Sequence, residues 1–249
     1  KDEGAVIELE GGRIVDVREA ASPEGTSILV KDLFFNTPAR LKFMKKPATE
    51  AGQVSDMMAH MMMARPDIAM RLTSNGKQVY RSPGDGKLLS VLAMLWGREA
   101  AEQLVGVRGH AAGCYWEGYL GVGDLARTSR SHQAFMLNGR YVRSALLAQA
   151  VEAGCRGRVM IGRSPMFVLQ ATLDPHSVDV NVHPNKLEVR FRQEQAVYEG
   201  LAELVRVALM RALEPPKAET QPAPEPPAPR QDLPVPTPLA QVPVPPREP

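Results

Sequence analysis

The chain has 249 residues, 44% of them hydrophobic and 23% charged, which is ordinary for a soluble globular protein of one large or two small domains. It contains no apolar run long enough to predict a membrane span and no secretory signal pattern at its start. The net charge of +2 excludes a uniformly basic nucleic-acid binder, and the two widely separated cysteines favour a reducing compartment over a metal site.

Residues 1–82 read as the later part of an α/β domain. Alternating apolar residues predict a hairpin of strands 6–9 and 13–17 around Glu10-Gly11-Gly12. A further strand is predicted over 27–30, after Gly25. Methionines at helical spacing predict a helix over 49–64 whose Met stripe faces the core. Alternation around Asn75-Gly76 predicts a second hairpin.

Residues 25–40 form the first informative segment. Gly25 and Thr26 open the predicted strand, and the plainest interpretation from spacing alone is the start of a buried strand. Asn36-Thr37-Pro38 predicts a cap and a first helical turn with Pro in an early position. The cations that follow, Arg40 and Lys42, face either DNA or water.

A Ser-Pro-Gly-Asp-Gly stretch over 82–86 predicts a domain junction. Beyond it we predict a mixed α+β domain in which helices cover one face of a sheet. Its predicted helices are 87–96, 144–154 with Ser144 as N-cap, and 194–213. Its predicted strands are 104–108, 114–120, 133–137, 166–172, 178–182 and 187–192.

Charge within this domain is uneven, because residues 127–165 hold seven arginines and a single acid, Glu152. Asn138-Gly139 predicts a tight hairpin turn that presents Arg140, and Arg143 points outward just before the next helix. Cations on a fixed turn suit contacts with DNA phosphates, which position DNA without reading its sequence. Solvated surface arginines are the alternative.

The most informative segment is 178–191. Two alternating stretches predict strands with one buried face, and His183-Pro184-Asn185-Lys186 breaks the pattern with turn chemistry. Lys186 is thereby held on a loop between two anchored strands, where it suits a phosphate group or remains solvated.

The remaining histidines His60, His110, His132 and His176 lack partners in sequence, and we interpret them as structural or solvated.

Residues 215–249 contain 14 of the 22 prolines and no aromatic residue, which predicts a disordered linker.

The segments 25–40, 135–143 and 178–191 resemble, in this order, three signature segments of the DNA mismatch repair MutL family, within the gyrase, chaperone, histidine-kinase and MutL (GHKL) ATPase superfamily. The resemblance covers about residues 1–214. It implies an α+β fold with the C-terminal part of a GHKL-type α/β sandwich over 1–82. A ribosomal-protein-like two-layer α/β transducer domain would follow over 83–214, and then the linker.

The resemblance also implies roles for residues. Lys186 would reach the γ-phosphate of ATP and act in both binding and hydrolysis, while Gly25 and Thr26 would line the nucleotide pocket. DNA contacts would come from Arg40, Lys42, Arg140 and Arg143. In this family we expect ATP with Mg²⁺, non-specific DNA contacts, a MutS-type mismatch sensor and an ATP-dependent homodimer. We expect a cytoplasmic, nucleoid-associated protein without membrane contact.

Some family features are not found in residues 1–249: the general-base Glu, the Asn that holds Mg²⁺, the adenine loop, the Gly-rich lid and the endonuclease metal motif. With no initial Met, we expect a fragment whose ATPase activity belongs to the full-length protein. Asn185 and Ser144-Ala145 depart from the usual family residues, and the second departure concerns the DNA surface. The alternatives are another GHKL ATPase, such as a type II topoisomerase subunit, and a non-enzymatic DNA-binding adaptor.

Overall fold

The computed structural model of the chain describes residues 4–179 and 187–212. No helix in these two ranges is long and apolar enough to cross a membrane. The helices are α1 Pro38–Leu41, α2 Pro47–Ala64, α3 Leu88–Trp96, α4 Arg98–Glu102, α5 Ala145–Gly154 and α6 Glu194–Arg211. The strands are β1 Gly4–Glu10, β2 Arg13–Ala20, β3 Arg71–Ser74, β4 Lys77–Arg81, β5 Val105–Ala111, β6 Cys114–Gly121, β7 Gln133–Leu137, β8 Arg140–Val142, β9 Met166–Thr172, β10 Val178–Asp179 and β11 Arg190–Phe191.

A five-stranded mixed sheet with the order β5-β6-β9-β7-β8 organises the second half of the chain. Its neighbouring strands are antiparallel except β7 and β9, which run parallel. Side chains alternate along β7, so that Phe135 and Leu137 face one core cluster while Ala134 and Met136 face another. The predicted α+β class is confirmed, and β8 forms one edge of this sheet.

Helices α5 and α6 form the predicted layer on one face of the sheet. Their apolar positions Leu147, Val151, Leu201 and Val205 are fully buried against it. The helices approach closely at Gly154, where a Cβ would stand 2.5 Å from the carbonyl oxygen of Ala202. The predicted cap of α5 is confirmed, because the Ser144 hydroxyl accepts a hydrogen bond from the Leu147 amide at 3.2 Å.

The opposite face of the sheet carries a second cluster that the sequence did not predict. Met62 and Met63 of α2 and Val91 and Leu92 of α3 are buried in the same cluster as Ala134, Met136 and Val168 of the sheet. The side-chain Nε2 of Gln170 also joins β9 to α2, because it donates to the carbonyl oxygen of Met63 at 2.8 Å. Part of the Met stripe is therefore core, whereas Met57 and Met61 are exposed.

The first strands are paired but uncovered. The predicted β1–β2 hairpin is confirmed, yet large apolar side chains on both strands, among them Ile7, Leu9, Ile14 and Val15, are exposed. The predicted strand over 27–30 is wrong: the segment has no strand pairing among the described residues, and Ile28 is 82% exposed. A short apolar run forms a strand only where a partner supplies the ladder of hydrogen bonds.

The predicted hairpin around residues 180–186 is confirmed at its base. Val178 pairs with Phe191 and Asp179 with Arg190, which makes β10 and β11 shorter than predicted. Leu187 instead accepts a hydrogen bond from the end of β8. Residues 180–182 and the predicted linker 215–249 lie outside the described residues.

Candidate nucleic-acid interface

The turn between β7 and β8 is fixed by its own backbone and by the neighbouring strand. Asn138 and Gly139 both have positive φ, +48° and +79°, as a two-residue hairpin turn requires. The Asn138 side-chain Nδ2 donates to the carbonyl oxygen of Leu173 at 2.9 Å, and its Oδ1 accepts from the backbone N–H of Leu173 at 3.0 Å. Arg140, which directly follows, is exposed on this clamped turn.

Arg143 directly follows the C-terminal end of β8. Its side chain is exposed, and its Nε donates to the hydroxyl of Tyr141 at 3.3 Å. Its backbone amide donates to the carbonyl oxygen of Leu187 at 2.7 Å, and a parallel bridge joins residues 143 and 188. Arg143 is thus tied by its backbone to the residue that follows Lys186.

Most of the positive charge of residues 127–165 is not neutralised by salt bridges among the described residues. Arg130 makes two hydrogen bonds of 2.9 Å to Glu152, the single acid of this stretch. Within residues 4–179 and 187–212, no salt bridge neutralises the other six arginines of the stretch, which are Arg127, Arg140, Arg143, Arg156, Arg158 and Arg163. Their positive charge remains available to an anionic partner.

The other predicted site residues are not gathered into one pocket in the described structure. Gly25 and Thr26 are exposed, Gly25 within a bend, and a Cβ on Gly25 would meet no atom within 4 Å. Arg40 belongs to the single-turn helix α1 and Lys42 caps it, both exposed. Lys186 lies outside the described residues.

A cleft of about 670 Å³ lies between α2 and α3 on one side and β7 and β8 on the other. Its lining combines aromatic rings with charged groups: Asp56, His60, Trp96, Arg130, His132 and Arg143. His60 stacks on Tyr141 with ring centroids 3.6 Å apart and an angle of 14° between the planes. Sequence reasoning missed this pair, because 81 residues separate its members and neither has a local signal.

Both histidines of the cleft are held towards the neutral form. Burial lowers the pKa of His60 below its ordinary value; nearby Asp56 opposes this shift and Arg143 adds to it. Burial and the charge of Arg127 lower the pKa of His132. In the described ranges, no group of three or more His, Cys, Asp or Glu side chains is arranged to hold a metal ion.

Comparison with known proteins decides the family. The model of the DNA mismatch repair protein C-terminal domain matches residues 92–210. The DNA mismatch repair protein MutL of Shouchella clausii is 43% identical over 206 residues, which is 83% of this chain and 32% of that protein. The chain belongs to the DNA mismatch repair MutL family. It spans about a third of the length of this MutL relative.

Solved structures support the fold. The N-terminal domain of a DNA repair protein aligns with a TM-score of 0.70 at 18% identity, over 85% of this chain and 69% of that one. The Aquifex aeolicus MutL ATPase domain complexed with ADP aligns with a TM-score of 0.56 at 23% identity, over 70% of this chain and 64% of that one. Membership of the MutL family decides against the type II topoisomerase alternative.

Proposed function

We propose that this chain carries the DNA-contacting surface and the ATP-sensing lysine of a mismatch repair protein. The full-length protein acts as an ATP-dependent matchmaker between a MutS-type mismatch sensor and the strand-processing steps. The observation that carries the proposal is the 2.7 Å hydrogen bond from the Arg143 amide to Leu187, because it ties a DNA-contacting arginine to the neighbour of Lys186.

The DNA contacts are to phosphates. Arg140 on its clamped turn and Arg143 at the end of β8 are exposed cations on a rigid scaffold, in a stretch where a single acid neutralises a single arginine. Arg40 and Lys42 extend the contact. Phosphate contacts of this kind give affinity without base recognition, which fits a protein that receives mismatches from a separate sensor.

The nucleotide contacts involve Gly25, Thr26 and Lys186. Gly25 has φ +129° and open space where a Cβ would stand, so its backbone is accessible to a bound nucleotide. Lys186 lies outside the described residues, and β10 and β11 pair on either side of it in sequence. The ATP-binding partner of these residues is the rest of a GHKL domain, against which the exposed apolar side chains of β1 and β2 pack. The Mg²⁺ ligand lies elsewhere in the full-length protein.

Membership of the MutL family also supports a proposal about how the full-length protein assembles. We propose that ATP binding joins two copies of the full-length protein around DNA, in the cytoplasm, and that Lys186 makes its contact only when the γ-phosphate is present. A contact that exists in one state only is what allows a ligand to shift the balance between two states.

Salt dependence of DNA binding tests the DNA surface. If the four cations contact four phosphates, the affinity of the chain for duplex DNA falls with a slope of roughly −3.6 in log K against log salt. Arg140→Ala should lower the steepness by about 0.9, the share of one phosphate contact. Arg98→Ala is the matched control, since Arg98 is 90% exposed but lies on α4 outside the basic stretches. A flat salt response, or equal losses in the two variants, contradicts the proposed surface.

ATP hydrolysis by the full-length protein tests Lys186. Lys186→Ala should abolish most of the turnover while leaving the thermal unfolding midpoint unchanged. Normal turnover in that variant would remove the lysine from the active site. If DNA binding persists and no variant affects a nucleotide reaction, the chain is the non-enzymatic DNA-binding adaptor instead.

A further inference from the structure

His60 and Tyr141 join two parts of the chain through their rings. His60 lies on α2, and its ring is almost parallel to that of Tyr141 on β8, with 3.6 Å between centroids. Both side chains are half-buried in the cleft that α2 and α3 form with β7 and β8. The contact fixes the Tyr141 ring from the side of the helix.

Tyr141 in turn contacts Arg143. The two residues are separated by one position, so they project on the same side of the strand. Their hydrogen bond, in which Arg143 Nε donates to the Tyr141 hydroxyl at 3.3 Å, leaves the remaining guanidinium N–H groups free for another acceptor. Since no described carboxylate pairs with Arg143, the arginine is oriented without being neutralised.

The charges around His60 suit this role. Asp56, one helical turn earlier on α2, and Arg143, just after β8, are the charged groups with the largest effect on the pKa of His60. Arg130 and His132 line the same cleft. With its pKa lowered chiefly by burial, the His60 ring is neutral at pH 7 and does not repel the Arg143 guanidinium.

We propose that the His60–Tyr141 stack is a positioning pair that holds Arg143 in the orientation from which it contacts a DNA phosphate. Helix α2 and the DNA surface are thereby linked through side chains, in addition to the backbone link from Arg143 to Leu187. The inference rests on the proposed function, because it presumes that Arg143 contacts DNA.

The test is a double-mutant cycle on duplex DNA affinity, measured with the whole chain. Arg143→Ala should weaken binding about 8-fold at 0.1 M salt, the effect of one lost phosphate contact with a slope of about 0.9. His60→Ala should weaken it roughly 2- to 10-fold, because the Arg143 side chain is then no longer held in place and must be ordered when DNA binds. In the Arg143→Ala background, His60→Ala should have no further effect, since nothing remains to be positioned.

Three further variants separate positioning from folding. His60→Phe retains a ring for stacking and should restore most of the affinity. Tyr141→Phe retains the stack but loses the hydroxyl, so it should behave like His60→Ala. Gln170→Ala is the control for displacement of α2: it removes the 2.8 Å hydrogen bond to Met63, a contact between α2 and the sheet that does not involve Arg143. It should leave DNA affinity unchanged.

The outcomes are distinguishable. If Arg143→Ala does not weaken DNA binding, the proposed DNA contact itself fails. If Arg143→Ala weakens binding but His60→Ala does not, the contact stands and the positioning pair is wrong. An equal effect of His60→Ala in both backgrounds assigns His60 a structural role only, and also overturns the proposal.

Discussion

Two regions of this chain form strands rich in apolar residues and have opposite surroundings. Along β7 and β9 the apolar residues on both faces are buried, for example Phe135, Met136, Val168 and Leu169. Along β1 and β2 the apolar residues Ile7, Leu9, Ile14 and Val17 are all more than half exposed. Hairpin pairing needs only two adjacent strands, whereas burial needs covering layers. Helices α5 and α6 provide one on one face of the sheet, and α2 and α3 provide one on the other.

This difference bears on function. The arginine turn is attached to the well-packed region, where the neighbouring strand β9 leads to the Leu173 backbone that clamps Asn138. Gly25 and Thr26 belong to the uncovered region and have open surroundings. The proposed DNA contacts of Arg140 and Arg143 therefore lie on a packed scaffold, whereas the proposed nucleotide residues Gly25 and Thr26 lie in the uncovered region.

The largest test of the comparison uses two phenylalanines. Phe167 of β9 is 0% exposed in the core and Phe43 is 85% exposed. Phe167→Ala should lower the free energy of unfolding by about 3–5 kcal/mol, because it leaves a cavity. Phe43→Ala should change it by less than about 0.5 kcal/mol. Urea titration followed by circular dichroism measures both, and similar losses would show that the two regions are equally packed.

A second pair of variants tests the clamp at the arginine turn. Asn138 and Asn75 both occupy hairpin turns with positive φ, +48° and +50°. Of the two described side chains, only that of Asn138 makes hydrogen bonds, to Leu173. Asn75→Ala should therefore lower the free energy of unfolding by about 1 kcal/mol, because alanine is strained in the left-handed backbone conformation. Asn138→Ala should lower it by about 3 kcal/mol, because each of the two lost hydrogen bonds adds about 1 kcal/mol to that strain. Equal losses of unfolding free energy in the two variants would mean that the hydrogen bonds of Asn138 do not stabilise the turn.

Much of this arrangement could be predicted from sequence, and the exceptions share a cause. The hairpin turns, the Ser144 cap and the helix over 49–64 depend on local patterns and were predicted correctly. The strand over 27–30 was wrong, because its pattern says nothing about the availability of a partner strand. The packing of α2 and α3 on the sheet and the His60–Tyr141 stack depend on contacts between distant residues, which periodicity does not reveal.

The pH dependence of stability gives the smallest effect. Because burial lowers the pKa of His60 in the folded chain, the unfolded chain takes up its proton first as the pH falls. The stabilisation is present above a pH of about 6.5, the ordinary value, and is lost as the pH falls through the folded pKa. The thermal unfolding midpoint should fall between pH 7.5 and pH 5, and His60→Phe should reduce the fall. The shift at His132 has the same sign, so a smaller decrease remains in that variant. An unchanged decrease would exclude His60 as a contributor.

We propose that the DNA contact of Arg143 and the ATP contact of Lys186 are coupled through the backbone hydrogen bond between Arg143 and Leu187. The most direct measurement is the DNA affinity of the full-length protein with and without a non-hydrolysable ATP analogue. We predict that the analogue changes the affinity, by a factor in the usual range of about 5 to 150, and that DNA changes the affinity for the analogue by the same factor. Lys186→Ala should bring the factor close to one without altering DNA affinity in the absence of nucleotide. An unchanged factor in Lys186→Ala would contradict the account.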